Sequence, residues 1–75
     1  MVKMENIRAN GNLIIVDCYE EGDKNRAHHV EFDKNTLEIT NKVENNIYIR
    51  QGMWKLYTIL REGIELPSKV SSYWC

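Results

Sequence analysis

The sequence predicts an α+β fold: an antiparallel meander sheet of four to five strands, one C-terminal amphipathic helix packed on one face of it, and a short extended tail. Three observations carry that expectation. Segments with alternating apolar residues, separated by polar breaks, fill the first 44 residues. The apolar period then changes from 2 to 3.6 between Arg50 and Glu62. Finally, 75 residues with a single proline and no repeat or linker leave room for one core, so residues 1–75 read as a single small domain.

Asn10-Gly11 is the strongest hairpin signal, because both residue types tolerate the positive φ of a type I′ turn; strands are expected on either side, Met4 to Ala9 and Asn12 to Glu20. Polar breaks at Glu21–Asn25 and Asp33–Thr36 set off two more strands, Arg26 to Phe32 and Leu37 to Val43. Register can be tested against itself, since a slip of one residue turns every side chain to the other face. Turning near Asp23 pairs Ile14 with Phe32, Val16 with Val30 and Cys18 with His28. Turning at Asp33 to Thr36 pairs Phe32 with Leu37 and Val30 with Ile39. One face then collects Ile7, Ile14, Val16, Val30, Phe32, Leu37 and Ile39 as half a core.

Met53, Leu56, Tyr57, Leu60 and Ile64 fall within about 100° on a helical wheel, which defines the helix over Arg50 to Glu62. Gly63 is placed to take the left-handed conformation that ends it, and Pro67 prevents resumption. Ile47-Tyr48-Ile49 reads either as a fifth strand or as a first helical turn capped by Asn46; the strand is preferred. The tail, Lys69 to Cys75, alternates in a way that suits an edge strand or an extended segment packed on the sheet.

Ten Lys and Arg against eleven Asp and Glu describe a nearly neutral chain. Its longest apolar run, Leu13 to Val16, is far short of the roughly 20 residues that span a bilayer, so no membrane association is expected. Met1 to Asn10 has no apolar stretch of the kind a secretory signal needs. A cytoplasmic location follows as the expectation, and with it free thiols at Cys18 and Cys75 in preference to a disulfide. The charge is uneven: residues 1–49 carry a net −3 and residues 50–75 a net +2.

Chemistry-bearing residues are sparse. Cys18 opposite His28, with Asp17 and His29 nearby, has the composition of a nucleophile, its base and an orienting carboxylate. Asp17 and His29 project from the face opposite Cys18, however, so the set does not close into one triad. No close-spaced ligand pair announces a metal site and no glycine-rich loop a phosphate site, so no cofactor and no enzymatic activity are expected. The helix offers more. Arg50, Trp54 and Arg61 cluster within about 40° on its wheel, and guanidinium groups beside an indole make a surface suited to an acidic protein partner. The function expected is therefore a non-enzymatic interaction or regulatory module. A nucleic-acid-binding regulator using the same basic shoulder is the alternative, and a small thiol or metal protein built on Cys18 and His28 is the third reading. A homodimer is also expected: Leu13, Ile15 and Tyr19 lie on the sheet face that the helix does not cover, and small cores are commonly completed by a second copy.

Overall fold

A computed structural model describes residues 1–74. Strand β1 (Val2–Asn10) turns into β2 (Leu13–Glu20) through Gly11 and Asn12, with Asn10 paired to Leu13. The loop thus lies one residue later than Asn10-Gly11. Gly11 has φ +61° and Asn12 is not among the positive-φ residues, which is the type II′ pattern, with glycine at the first central position. In that register unbroken alternation would bring Glu5 round to the core. A β-bulge prevents it: Glu5 pairs with Asp17 but Arg8 with Ile15, so Asn6 and Ile7 together face the single residue Val16. Asn6 takes φ +55°, a conformation Asn tolerates better than most residues. The result is that Val2, Met4 and Ile7 all point into the core.

Strand β3 (Ala27–Asp33) pairs with β2 in the expected register, Ile14 with Phe32, Val16 with Val30 and Cys18 with His28. The next segment departs from expectation. Leu37 to Val43 is not a strand; it makes one isolated bridge, Phe32 to Ile39, two residues out from the pairing of Phe32 with Leu37. Asp33 accounts for the difference. Its carboxylate accepts from the Asn35 and Thr36 amides, and the turn it organises carries Leu37 at φ +65°. After Thr40 donates its amide to the Glu31 carbonyl, the Asn41 side chain replaces the backbone along the edge of β3. It accepts from the Glu31 amide at 2.9 Å and donates to the His29 carbonyl at 2.8 Å. The edge is thereby closed without a strand. Leu37 and Ile39, expected in the core, are 37% and 40% exposed.

The fourth strand comes instead from the tail. Strand β4 (Val70–Ser72) runs antiparallel to β1, Val2 opposite Ser72 and Met4 opposite Val70, giving the order β3-β2-β1-β4. The last tail residue, Cys75, and with it any pairing to Cys18, lies outside the described residues.

Helix α1 spans Ile47–Arg61, so Ile47 to Ile49 form its first turn and not a fifth strand. The alternative cap operates: the Asn46 side chain accepts from the Ile49 amide at 2.9 Å, satisfying one of the amides a helix start leaves unpaired. At the other end the Gly63 amide donates to Leu60 and the Ile64 amide to Ile59, the paired bonds of a Schellman motif, with Gly63 at φ +70°. The helix lays Ile49, Met53, Leu56 and Ile59 on the sheet face formed by Val2, Met4, Ile14, Val16, Cys18, Val30 and Phe32. Gly52 sets how closely it approaches β1, since a Cβ there would meet the Met4 sulfur at 3.0 Å. Among the described residues no helix is long and apolar enough to cross a membrane.

Candidate partner-binding surface

Because α1 buries Ile49, Met53, Leu56 and Ile59, the helical period places Ile47, Arg50, Trp54, Thr58 and Arg61 on its outward side. Trp54 is 70% exposed and Ile47 44%, and both Arg50 and Arg61 are exposed. The helix holds three cations, Arg50, Lys55 and Arg61, and no carboxylate. Among the described residues none of the three is in an ion pair. The nearest approach is Arg61 to the Thr58 hydroxyl at 3.5 Å, while that hydroxyl donates to the Trp54 carbonyl.

A groove of about 630 Å³ runs along one side of this surface, between α1 and the segment 39–45. Ile49 and Met53, each only 3% exposed, form its floor beside the half-buried Tyr57; Trp54 and Arg50 stand on the helix side, and Ile39 and Val43 form the facing wall. The wall is anchored by the Asn41 bonds to β3 and by the Tyr57 hydroxyl, which donates to the Leu37 carbonyl at 2.8 Å. Burial pushes the Tyr57 phenol above its ordinary range, so it remains a donor. Two of the three expected binding residues, Arg50 and Trp54, are brought together at this groove. Arg61 lies about 16 Å along the axis from Arg50 and borders a smaller depression beside Lys34 and Leu37 instead. The alternation of Leu37 to Val43 predicts a strand and so hides the groove, whose second wall this segment forms. The polar run Thr40-Asn41-Lys42, which breaks the alternation, was the available signal.

The other face of the sheet is occupied by charge. Leu13, Ile15 and Tyr19 are half-buried there, with Ile15 between Arg8 and Glu31 in register and Lys24 lying 4.0 Å above the Tyr19 ring. The described tail residues do not cover them. Trp74 packs on the core side, edge-on to Tyr48 at 5.6 Å, and Tyr73 is largely exposed. A polar chain crosses this face: Asn6 donates to Asp17 at 2.8 Å, Asp17 meets His29 Nδ1 at 3.0 Å, and His29 Nε2 meets Glu31 at 2.9 Å. Those carboxylates raise the His29 pKa, the Asp17 bond most and the Glu31 bond next. With both ring nitrogens turned to carboxylates, neither is free for general-base work or metal ligation.

Cys18 and His28 face each other as expected, yet they do not act on each other. Cys18 is fully buried, and burial, reinforced by the Asp17 charge, pushes its thiol up to about 12. His28 turns to Glu20 at 2.6 Å. Glu20 also takes Arg26 and, at 3.3 Å, the amide of the helix cap Asn46, and its carboxyl is held below the usual range by the His28 and Arg26 bonds. Among the described residues no group of three or more His, Cys, Asp or Glu is placed to hold a metal ion. No family model, curated protein or solved structure matches this chain.

Proposed function

We propose that this protein is a non-enzymatic interaction module that binds an acidic protein partner through the outward face of α1 and the groove beside it. The observation that carries the reading is Trp54, an indole 70% exposed at an apolar groove and flanked on its own helix by guanidinium groups without counter-charges among the described residues. A large exposed aromatic beside arginines is the composition of interface hot spots, and such cations steer an acidic partner toward it. Against the thiol reading stands Cys18, whose buried, protonated sulfur is a poor nucleophile.

The test is affinity capture from a native extract with wild-type protein and the Arg50→Glu/Arg61→Glu double variant. A partner held by the wild type and lost by a double variant of unchanged circular dichroism supports the reading. Retention of the same partners by the variant, or unfolding of the variant, contradicts it. Nucleic acid in place of protein among the captured material favours the alternative of a nucleic-acid-binding regulator.

A second reading, a homodimer through Leu13, Ile15 and Tyr19, draws support from the fact that among the described residues neither helix nor tail covers that face. The charges interleaved among the three side chains weaken it. Sedimentation equilibrium tests it: a dimer split by Ile15→Asp is the expected result, and a monomer at high micromolar concentration contradicts it.

A further inference from the structure

The interaction reading leaves open what kind of chain sits on α1, and the spacing of its outward side chains narrows that. Ile47, Arg50, Trp54, Thr58 and Arg61 follow one another at intervals of three, four, four and three residues. That is close to the 3.5-residue period at which a second helix tracks the first, and over about 21 Å it makes a straight seam four turns long. An extended strand has no such match, because its side chains repeat every two residues.

Charge selects the partner further. The seam and its flank carry Arg50, Lys55 and Arg61 with no carboxylate on the helix, and across the groove Lys42 adds a cation against Glu44. A second copy of α1 brings the same three cations and is repelled. A nucleic acid satisfies the guanidinium groups but offers no aliphatic stripe for a groove whose accessible apolar lining is Trp54, Ile39 and Val43.

We infer that the seam and groove seat an acidic amphipathic helix of a partner protein, with its apolar stripe against Trp54 and in the groove and its carboxylates on Arg50 and Arg61. This rests on the interaction-module reading and goes beyond it in naming the partner's secondary structure and pattern. Docking of this kind buries a hydrophobic stripe for affinity and uses charge for register. The seam is accessible without unfolding, since neither Trp54 nor either arginine is part of the core.

The experiment is fluorescence anisotropy with full-length protein and four probes. The first is a labelled synthetic peptide of about five helical turns, leucines on one stripe and glutamates beside it. The second has the same composition with a central proline, the third has serine for leucine, and the fourth is a duplex oligonucleotide. The expected result is binding of the first peptide, weakened roughly tenfold or more by proline and by serine, and likewise by Trp54→Ala and by Arg50→Glu/Arg61→Glu in the protein. Equal binding of the proline peptide overturns the helical occupant while leaving the interaction reading intact. Equal binding of the serine peptide overturns the use of the groove. Tighter binding of the oligonucleotide, lost in the same variants, overturns both the inference and the reading beneath it. Absence of binding by the first peptide at millimolar concentration overturns the inference alone, the reading then being decided by capture.

Discussion

The two outward faces of this molecule treat charge in opposite ways. Every carboxylate from Glu5 to Asp33 has a partner within the chain. Glu5 holds Lys24, Glu21 the N-terminus, Glu20 both Arg26 and His28, and Asp17 and Glu31 share His29. Asp23 and Asp33 accept from turn amides. On α1 the cations have no such counterparts among the described residues, and an indole stands among them in solvent. Folding therefore uses the polar groups of the sheet side, whereas those of the helix side contribute little to it. A surface whose carboxylates are paired within the chain holds a structure together; one whose cations are left over is free to meet something else. Substitutions on the first should change stability, and on the second binding.

The largest effect is expected where both faces depend on the same core. Leu56→Ala removes a fully buried side chain that joins α1 to the sheet, and should cost about 3 kcal/mol in urea unfolding. A loss below about 1 kcal/mol would mean that the helix packs loosely and that its outward face is not held in place. Asn46→Ala should cost about 1 kcal/mol by removing the helix cap. It also severs the link from Glu20 to α1, so it tests whether the sheet's polar network extends to the helix.

A smaller effect follows from His29. Its folded pKa is raised by Asp17 and Glu31, so its stabilisation is complete below the unfolded value of about 6.5 and is lost as pH rises through the folded pKa. Asp17 has the opposite sign. Partial burial opposes ionisation there, but the bonds from Asn6 and His29 outweigh it and lower the pKa, so its contribution is lost as pH falls through that lowered value. Unfolding midpoints should thus decline in the wild type as pH rises from about 6.5 through the raised His29 pKa, and decline less in His29→Gln. Identical pH profiles for the two would show that the exposed pair is screened to nothing. The smallest effect on stability belongs to Arg50→Glu/Arg61→Glu, whose urea midpoint should be indistinguishable from wild type because both side chains are exposed and unpaired. A clear loss there would erase the contrast between the faces.

Much of the sheet was legible in the sequence. The β2–β3 register followed from matching Ile14, Val16 and Cys18 against Phe32, Val30 and His28, because only one alignment keeps apolar residues together. The end of α1 was marked by Gly63. What the alternation hid was local exchange of side chain for backbone. Asn41 closes the edge of β3 with its amide group, Asn46 starts a helix in a run of β-prone residues, and Asn6 absorbs a bulge that reconciles two phases of β1. Asn41 and Asn46 imitate backbone with their amide groups and Asn6 takes a positive φ, so the neighbours' periodicity is a poor guide. Arg50, Trp54 and Arg61 were legible as a cluster on the helix, but their arrangement was not. Arg50 and Trp54 meet at a groove made by the segment misread as a strand, and Arg61 stands apart from them.

The central claim, that the unsatisfied charge of α1 is there for an acidic partner, is tested most directly by exchanging the charges on both sides. Wild type and Arg50→Glu/Arg61→Glu are titrated with the acidic helical peptide and with its lysine counterpart, at low and high salt. The account predicts that wild type prefers the acidic peptide, that the double variant prefers the lysine peptide, and that salt weakens both preferences. A double variant that still binds the acidic peptide as tightly as wild type would contradict it.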